Sequence, residues 1–290
     1  MRTLMPAHIL DGRALAAEMR ADLTARAATL RAKGIEPRLT IVFVGENESS
    51  IAYVRNLVRS GERCGVDVCV ERLPENSDTA QVRESLERLG PDPRVHGVML
   101  QQPLPTSLSI RQIADAIPPE KDVDGAHPTN QGHLAFGSGT RFVPATPAAV
   151  MRLLERSPHW PPLGRRTVVI GRSIVVGLPV AMLLLAADAT VTVLHKESAS
   201  LQPFLSLAEI VVVATGVPGL IGGADIAPGA TVIDVGTTVV DGVLRGDVEY
   251  ESALQVAGAI TPVPGGVGPV TNMTLLHNVI EAAESAASSN

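Results

Sequence analysis

Thr167-Val-Val-Ile-Gly171-Arg-Ser-Ile-Val-Val-Gly177-Leu-Pro179 sets the architecture. Four β-branched residues in a row read as a strand buried on both faces, the kind found in parallel sheets. Gly171 ends it, and residues 180–187 form an apolar helical run. A glycine turn between strand and helix leaves backbone N–H groups beside a helix N-terminus, where a pyrophosphate is stabilised. Only two glycines, six apart, are present, so this is not the usual dinucleotide fingerprint. The Gly-Lys-Ser/Thr ending of a Walker A loop is missing as well.

Outward from this segment the same grammar repeats. Residues 190–194, 210–214 and 231–235 are further short strands, separated by helices or turns. Upstream, residues 39–44, 66–70 and 95–100 read as strands, and residues 12–33 and 79–89 as helices. Asn47 to Ser50 can cap a helix running to about Cys64, with Gly65 as its stop. Thr146-Pro147 opens a helix to about Arg156. The class is α/β with two domains and a mostly parallel sheet of βαβ units. The Pro/Gly-rich stretch from Pro118 to Gly139 is the expected boundary region.

The chain's 290 residues suffice for two cores, and 24 basic against 30 acidic residues give a net charge of −6. With no basic run, a nucleic-acid partner is not expected. No segment approaches the roughly 20 apolar residues of a membrane span, and the N-terminus lacks a signal-peptide core. Cys64 and Cys69 form no Cys-x-x-Cys pattern and no metal cluster, so they read as reduced thiols in a soluble, cytoplasmic protein.

Two further stretches carry chemistry. Thr261-Pro-Val-Pro-Gly-Gly-Val-Gly-Pro-Val-Thr271 holds three prolines and three glycines, reads as neither helix nor central strand, and precedes an apolar helical run from Met273. Such a stiff loop with bare N–H groups suits a planar polar ligand, although an ordinary turn has the same composition. At the end of strand 190–194 comes His195-Lys-Glu-Ser198. Lys196 with Arg172 could neutralise a 2′-phosphate, as in NADP, and Glu197 could hold an NAD ribose. Both also suit a solvated surface; the balance leans to NADP.

Ser50-Ile-Ala-Tyr53, Val98-Met-Leu-Gln-Gln-Pro-Leu-Pro105, Pro119-Glu-Lys-Asp-Val-Asp-Gly125, Gly171-Arg-Ser173 and the Pro-Gly loop occur in one order. Together they resemble the bifunctional methylenetetrahydrofolate dehydrogenase/cyclohydrolases, from about Leu10 to Ile280. The resemblance implies an N-terminal α/β folate-side domain (1–140, joined by a C-terminal helix, 272–290) and a Rossmann-like NAD(P)-binding domain (141–271). It also implies a cleft between them and a homodimer. By match, Tyr53 stacks on the folate, Asp124 holds the pterin and Gln101 sits at the reaction centre. Pro264, Gly265, Gly266, Val267 and Gly268 line the substrate. Gly171, Arg172 and Ser173 hold the dinucleotide, and Thr237 meets the nicotinamide.

One position breaks the pattern. The family's tyrosine is followed four residues later by a lysine, and here the chain reads Tyr53-Val-Arg-Asn-Leu57. Residues four apart share a helix face, so Leu57 takes the lysine's place. Gln102, Ala126, Ala145, Ala149 and Lys196 are smaller departures. The expectation is a dehydrogenase using NADP or NAD, with weak or absent cyclohydrolase activity. A fully bifunctional enzyme and a non-catalytic folate- or nucleotide-binding paralogue are the alternatives.

Overall fold

The alternation of β-branched runs with helical ones is realised as strands and helices in regular succession. The computed structural model describes residues 6–137 and 142–288, apart from the side chain of Ser49. The strands are β1 (His8–Ile9), β2 (Arg38–Val44), β3 (Asp67–Leu73), β4 (Gly97–Leu100), β5 (Arg166–Ile170), β6 (Thr190–Leu194), β7 (Ile210–Val213), β8 (Thr231–Asp234), β9 (Thr238–Val240), β10 (Val243–Arg245) and β11 (Ala259–Ile260). The helices are α1 (Gly12–Ala32), α2 (Glu48–Cys64), α3 (Thr79–Leu89), α4 (Pro128–Phe136), α5 (Ala145–Leu154), α6 (Gly177–Ala186), α7 (Gln202–Leu205), α8 (Tyr250–Leu254) and α9 (Val267–Ser288). Two compact units result.

One unit comprises residues 17–145 with residues from Asn272 onward. Its sheet has the order β3-β2-β4, all parallel. Central β2 is buried along nearly its whole length, as its unbroken apolar run requires. Asn47 caps α2 by accepting from Ser50 N at 3.0 Å, and Gly65 closes it in the left-handed region at φ 80°. Asp78 and Gln81 form a reciprocal capping box on α3. From α9, the buried Asn278 donates through Nδ2 to the carbonyls of Val123 (2.8 Å) and Val143 (3.2 Å). That pair of bonds fixes the main chain next to Asp124. Arg26 of α1 meets Glu284 of α9 through two hydrogen bonds.

The other unit comprises residues up to Ala16 with Thr146–Thr271. Its sheet runs β1-β11-β8-β7-β5-β6, again all parallel. The α/β class and the four expected strands of this half are present, and β1 and β11 extend the sheet. Hairpin β9–β10 turns at Asp241-Gly242, both at positive φ.

Four expectations are corrected. Residues up to Ala16 group with the second unit, because β1 pairs with β11. The units divide at Ala145/Thr146, beyond the expected stretch, which instead contains α4; residues 138–141 lie outside the described residues. Helix α5 begins at Ala145, ahead of Thr146-Pro147, since first-turn N–H groups have no intrahelical acceptor and proline there loses nothing. For the same reason α9 begins at Val267 and takes Gly268 and Pro269 into its first turn. Both cysteines are free.

Asn278→Ala leaves two main-chain carbonyls without their donor. It should lower stability by about 2 kcal/mol, measured by urea unfolding followed by circular dichroism, and Asn278→Asp should cost more. A change within about 0.5 kcal/mol, the scatter of ordinary surface substitutions, would remove Asn278 from this role.

Candidate functional sites

In the first unit, helix α2 presents Tyr53 half-buried and, one turn on, Leu57 fully buried. Asn56, Arg55 and Arg59 are exposed. Burial, and then the Asp124 carboxylate nearby, push the Tyr53 hydroxyl well above its usual range. The Asp124 carboxyl is itself pushed up to about 7, by burial first and by Asp122 second. Tyr53 and Asp124 are therefore electrostatic neighbours, and Leu57 lies on the same helix as Tyr53.

Asp122, which sequence reasoning noted only beside Asp124, is completely buried. Its carboxylate accepts from Ala126 N (3.0 Å), His127 N (2.8 Å) and Asn130 Nδ2 (2.7 Å). It thus shapes the turn that carries Asp124, and burial outweighs these donors to hold its carboxyl up at about 6. Two aspartates one residue apart divide the work: Asp122 orders the backbone and Asp124 keeps a carboxyl without hydrogen bonds from its own loop.

Gln101 follows β4, where open α/β sheets gather ligands. Its N–H donates to Val42 O at 2.9 Å. The buried side chain donates through Nε2 to the carbonyl of Gln102, which also accepts from Ser50 Oγ at 3.3 Å. Gln101 Oε1 and Gln102 Nε2 are buried without a protein partner. A buried amide oxygen left open at a strand end is an acceptor held ready for a ligand donor. Lys121 Nζ donates to Asp92 O at 2.7 Å.

In the second unit the glycine turn is explained by contact distances. Gly171 has φ 118°, and a Cβ there would lie 2.2 Å from Ala214 O. A Cβ on Gly177 would lie 2.1 Å from the carbonyl of Gly171. The loop therefore folds onto itself, with Ser173 Oγ accepting from Val176 N (3.1 Å) and Gly177 N (3.4 Å) at the start of α6. Beside this helix N-terminus lies a cavity of about 210 Å³ lined by Ser173, Val176, Ala214, Gly216, Val235, Gly236, Thr237 and Thr238. A helix N-terminus, glycines that admit close approach and a cavity over the strand ends fit a dinucleotide. Arg172, Lys196 and Thr237 are exposed, and Lys196 stands 3.7 Å from Glu197.

The Pro-Gly loop belongs to this same unit. Gly265 has φ 116°, and a Cβ on Gly266 would press on Pro262 O at 2.7 Å and Thr261 Cβ at 2.8 Å. The loop is buttressed from the chain's start: a Cβ on Gly12 would lie 1.8 Å from Gly266 O. Pro264 to Gly266 form the turn proper, while Val267 and Gly268 open α9.

Known proteins are similar to this chain over nearly its whole length. Residues 10–124 match the tetrahydrofolate dehydrogenase/cyclohydrolase catalytic domain, and residues 144–287 its NAD(P)-binding domain. The bifunctional protein FolD of Herpetosiphon aurantiacus is 47% identical over 98% of this chain and 99% of its own. The bifunctional FolD of Campylobacter jejuni, a solved structure, superposes with a TM-score of 0.92 at 37% identity, over 96% of this chain and 99% of that one. FolD from Trypanosoma brucei, solved with NADP and an inhibitor, gives 0.91 at 38% identity, over 98% and 99% of the two chains. With both of its domains present in order over nearly the whole length, the chain belongs to the tetrahydrofolate dehydrogenase/cyclohydrolase family.

Proposed function

We propose that this member oxidises methylene-tetrahydrofolate to methenyl-tetrahydrofolate, with NADP preferred over NAD, and hydrolyses the product weakly or not at all. The observation that carries this reading is Leu57, fully buried on the face of α2 that bears Tyr53. The dinucleotide supplies the hydride acceptor. Loss of hydride from a carbon between two nitrogens leaves a delocalised cation, so the protein need only position the folate and shape its electrostatics. We assign Tyr53 to the folate ring face, Asp124 to the pterin N–H groups and Gln101 to the reaction centre. Pro264, Gly265, Gly266, Val267 and Gly268 are assigned to the substrate. Gly171, Arg172, Ser173, Lys196 and Thr237 are assigned to the dinucleotide. A cytoplasmic homodimer is the setting that accords with the family resemblance.

Hydrolysis is a different demand. Adding water to the cation and opening the ring needs proton transfer by a positioned group, typically worth about 10²–10⁴-fold. Leucine transfers no proton, Arg55, Asn56 and Arg59 are exposed, and the Lys121 ammonium is held by Asp92 O. One observation favours a bifunctional second reading: the Asp124 carboxyl titrates at about 7, where a general acid–base is effective.

Absorbance at the reduced-nicotinamide and methenyl bands, with methylene-tetrahydrofolate and each cofactor in turn, tests the assignment. The expected result is turnover, faster at low concentrations of NADP than of NAD; binding without turnover would make the chain a ligand-binding paralogue. Methenyl-tetrahydrofolate should decay no faster with the purified protein than in buffer, and Leu57→Lys should gain hydrolysis. Brisk hydrolysis by the wild type that Asp124→Asn abolishes would establish the second reading instead.

The Asp124 carboxyl also fixes a pH dependence. Its ionised form accepts N–H donors from the pterin, and its free-enzyme value is raised to about 7. Dehydrogenase kcat/KM should therefore climb with pH up to about 7 and level off above. Asp124→Asn should raise the folate KM by at least about tenfold, the loss of one charge-assisted hydrogen bond, and flatten the profile. A wild-type profile already flat from pH 5 to 8 would remove Asp124 from substrate binding.

A further inference from the structure

Behind the dinucleotide cavity lie two buried carboxylates that the assignments above leave unused. Asp247 Oδ2 accepts from Thr215 N (2.6 Å), Thr215 Oγ1 (2.9 Å) and Gly216 N (2.9 Å), while its Oδ1 is buried without a partner. Asp234 Oδ1 accepts from Gly236 N (2.9 Å) and Asp247 N (3.0 Å), and its Oδ2 accepts from Val248 N (2.9 Å). The packing is reciprocal. A Cβ on Gly236 would lie 2.2 Å from Asp247 Oδ1, and one on Gly246 would lie 1.9 Å from Asp234 Oδ2. Gly236 itself lines the cavity, so the open oxygen of Asp247 packs against a residue of the cavity wall.

The two acids have donors but no counter-ion: among the described residues neither forms an ion pair with a basic side chain. Asp234 is mostly ionised at neutral pH, since burial raises its carboxyl only to about 6. Negative charge is thus held in a low-dielectric interior beside a ligand cavity, where a fixed positive charge is attracted far more strongly than in water.

Strand order tells which part of the ligand comes here. The pyrophosphate turn follows β5, the sheet runs β8-β7-β5-β6, and the ribose-reading charges Lys196 and Glu197 follow β6. In a doubly wound sheet the second nucleoside then lies on the opposite side of the turn, over β7 and β8. That side supplies Ala214, Gly216, Val235, Gly236, Thr237 and Thr238 to the cavity. The second nucleoside of NAD(P) carries the nicotinamide ring, which is cationic when oxidised and neutral when reduced.

We propose that Asp247, with Asp234 beside it, is a specificity-determining residue that makes the cavity favour the oxidised dinucleotide over the reduced one. This rests on the dinucleotide reading of the cavity given above. Asp247→Asn is a clean probe, because the amide oxygen can keep the Thr215 and Gly216 donors while the amide nitrogen occupies the place of Oδ1, where no donor is displaced.

The test is the pair of dissociation constants for NADP⁺ and NADPH, measured by calorimetry on wild type and Asp247→Asn. Their ratio, oxidised over reduced, should rise about tenfold in the variant, equivalent to about 1.4 kcal/mol. Thr215→Ala, which removes one donor and keeps the charge, should leave the ratio unchanged. A loosened pocket weakens both forms together, so an unaltered ratio in Asp247→Asn overturns the proposal. Binding of neither form by the wild type overturns the dinucleotide site and the proposal with it. Should Asp247→Asn fail to fold, the wild type decides: the bound couple's midpoint potential must lie below that of the free couple, and a value at or above it overturns the proposal.

Discussion

Loops at the carboxyl ends of parallel strands must be ordered yet left uncovered for ligands, and buried aspartates meet that constraint in both units. A loop that stays open has no neighbouring strand to satisfy its N–H groups. A carboxylate beneath it can accept several donors at once, and charge assistance makes each bond stronger than a neutral one. Asp122 gathers Ala126, His127 and Asn130. Asp247 gathers donors from Thr215 and Gly216, and Asp234 those of Gly236, Asp247 and Val248. Desolvation opposes this arrangement, visible in the raised Asp122 and Asp234 carboxyls. The ligand-facing backbone is thereby rigid before any ligand arrives, which is what preorganisation requires.

Glycine completes the same design by letting these aspartates and carbonyls approach the main chain. Gly236 and Gly246 admit the two carboxylates, Gly171 admits Ala214 O, and Gly12 admits Gly266 O. In each place a methyl group would collide with a polar atom less than 2.5 Å away. The glycine-rich composition of the loops is therefore set as much by their inner face as by the ligand on the outer one. A glycine pair with unusual spacing, Gly171 and Gly177, still forms a tight turn because the contact decides and the spacing only follows.

Much of this was legible in the chain. Asn47 and Gly65 delimit α2 by capping chemistry alone, and the i, i+4 rule put Leu57 on the face of Tyr53, where it is buried. The β-branched runs marked β2, β5, β6, β7 and β8, and alternation over residues 66–70 marked the first part of β3. What stayed hidden has physical reasons. Strand β1 is two exposed residues whose only support is a partner some 250 positions away. The helical start at Val267 was masked because glycine and proline are usually breakers, yet are harmless in a first turn. The β9–β10 hairpin did have a signal, Asp241-Gly242 between β-branched residues. Asp247 had almost none, since its burial depends on segments around 215, 234 and 247 meeting in space.

The pairing of β1 with β11 has a consequence for how the chain is made. His8–Ile9 leave the ribosome well ahead of their partners Ala259–Ile260. Helix α9, which completes the unit containing Tyr53 and Asp124, comes later still. Neither unit can close before β11 and α9 have been made. Such long-range closure slows folding and lengthens exposure of unpaired strand edges. A product cut short before β11 would lack both the partner of β1 and helix α9, leaving both units open at once.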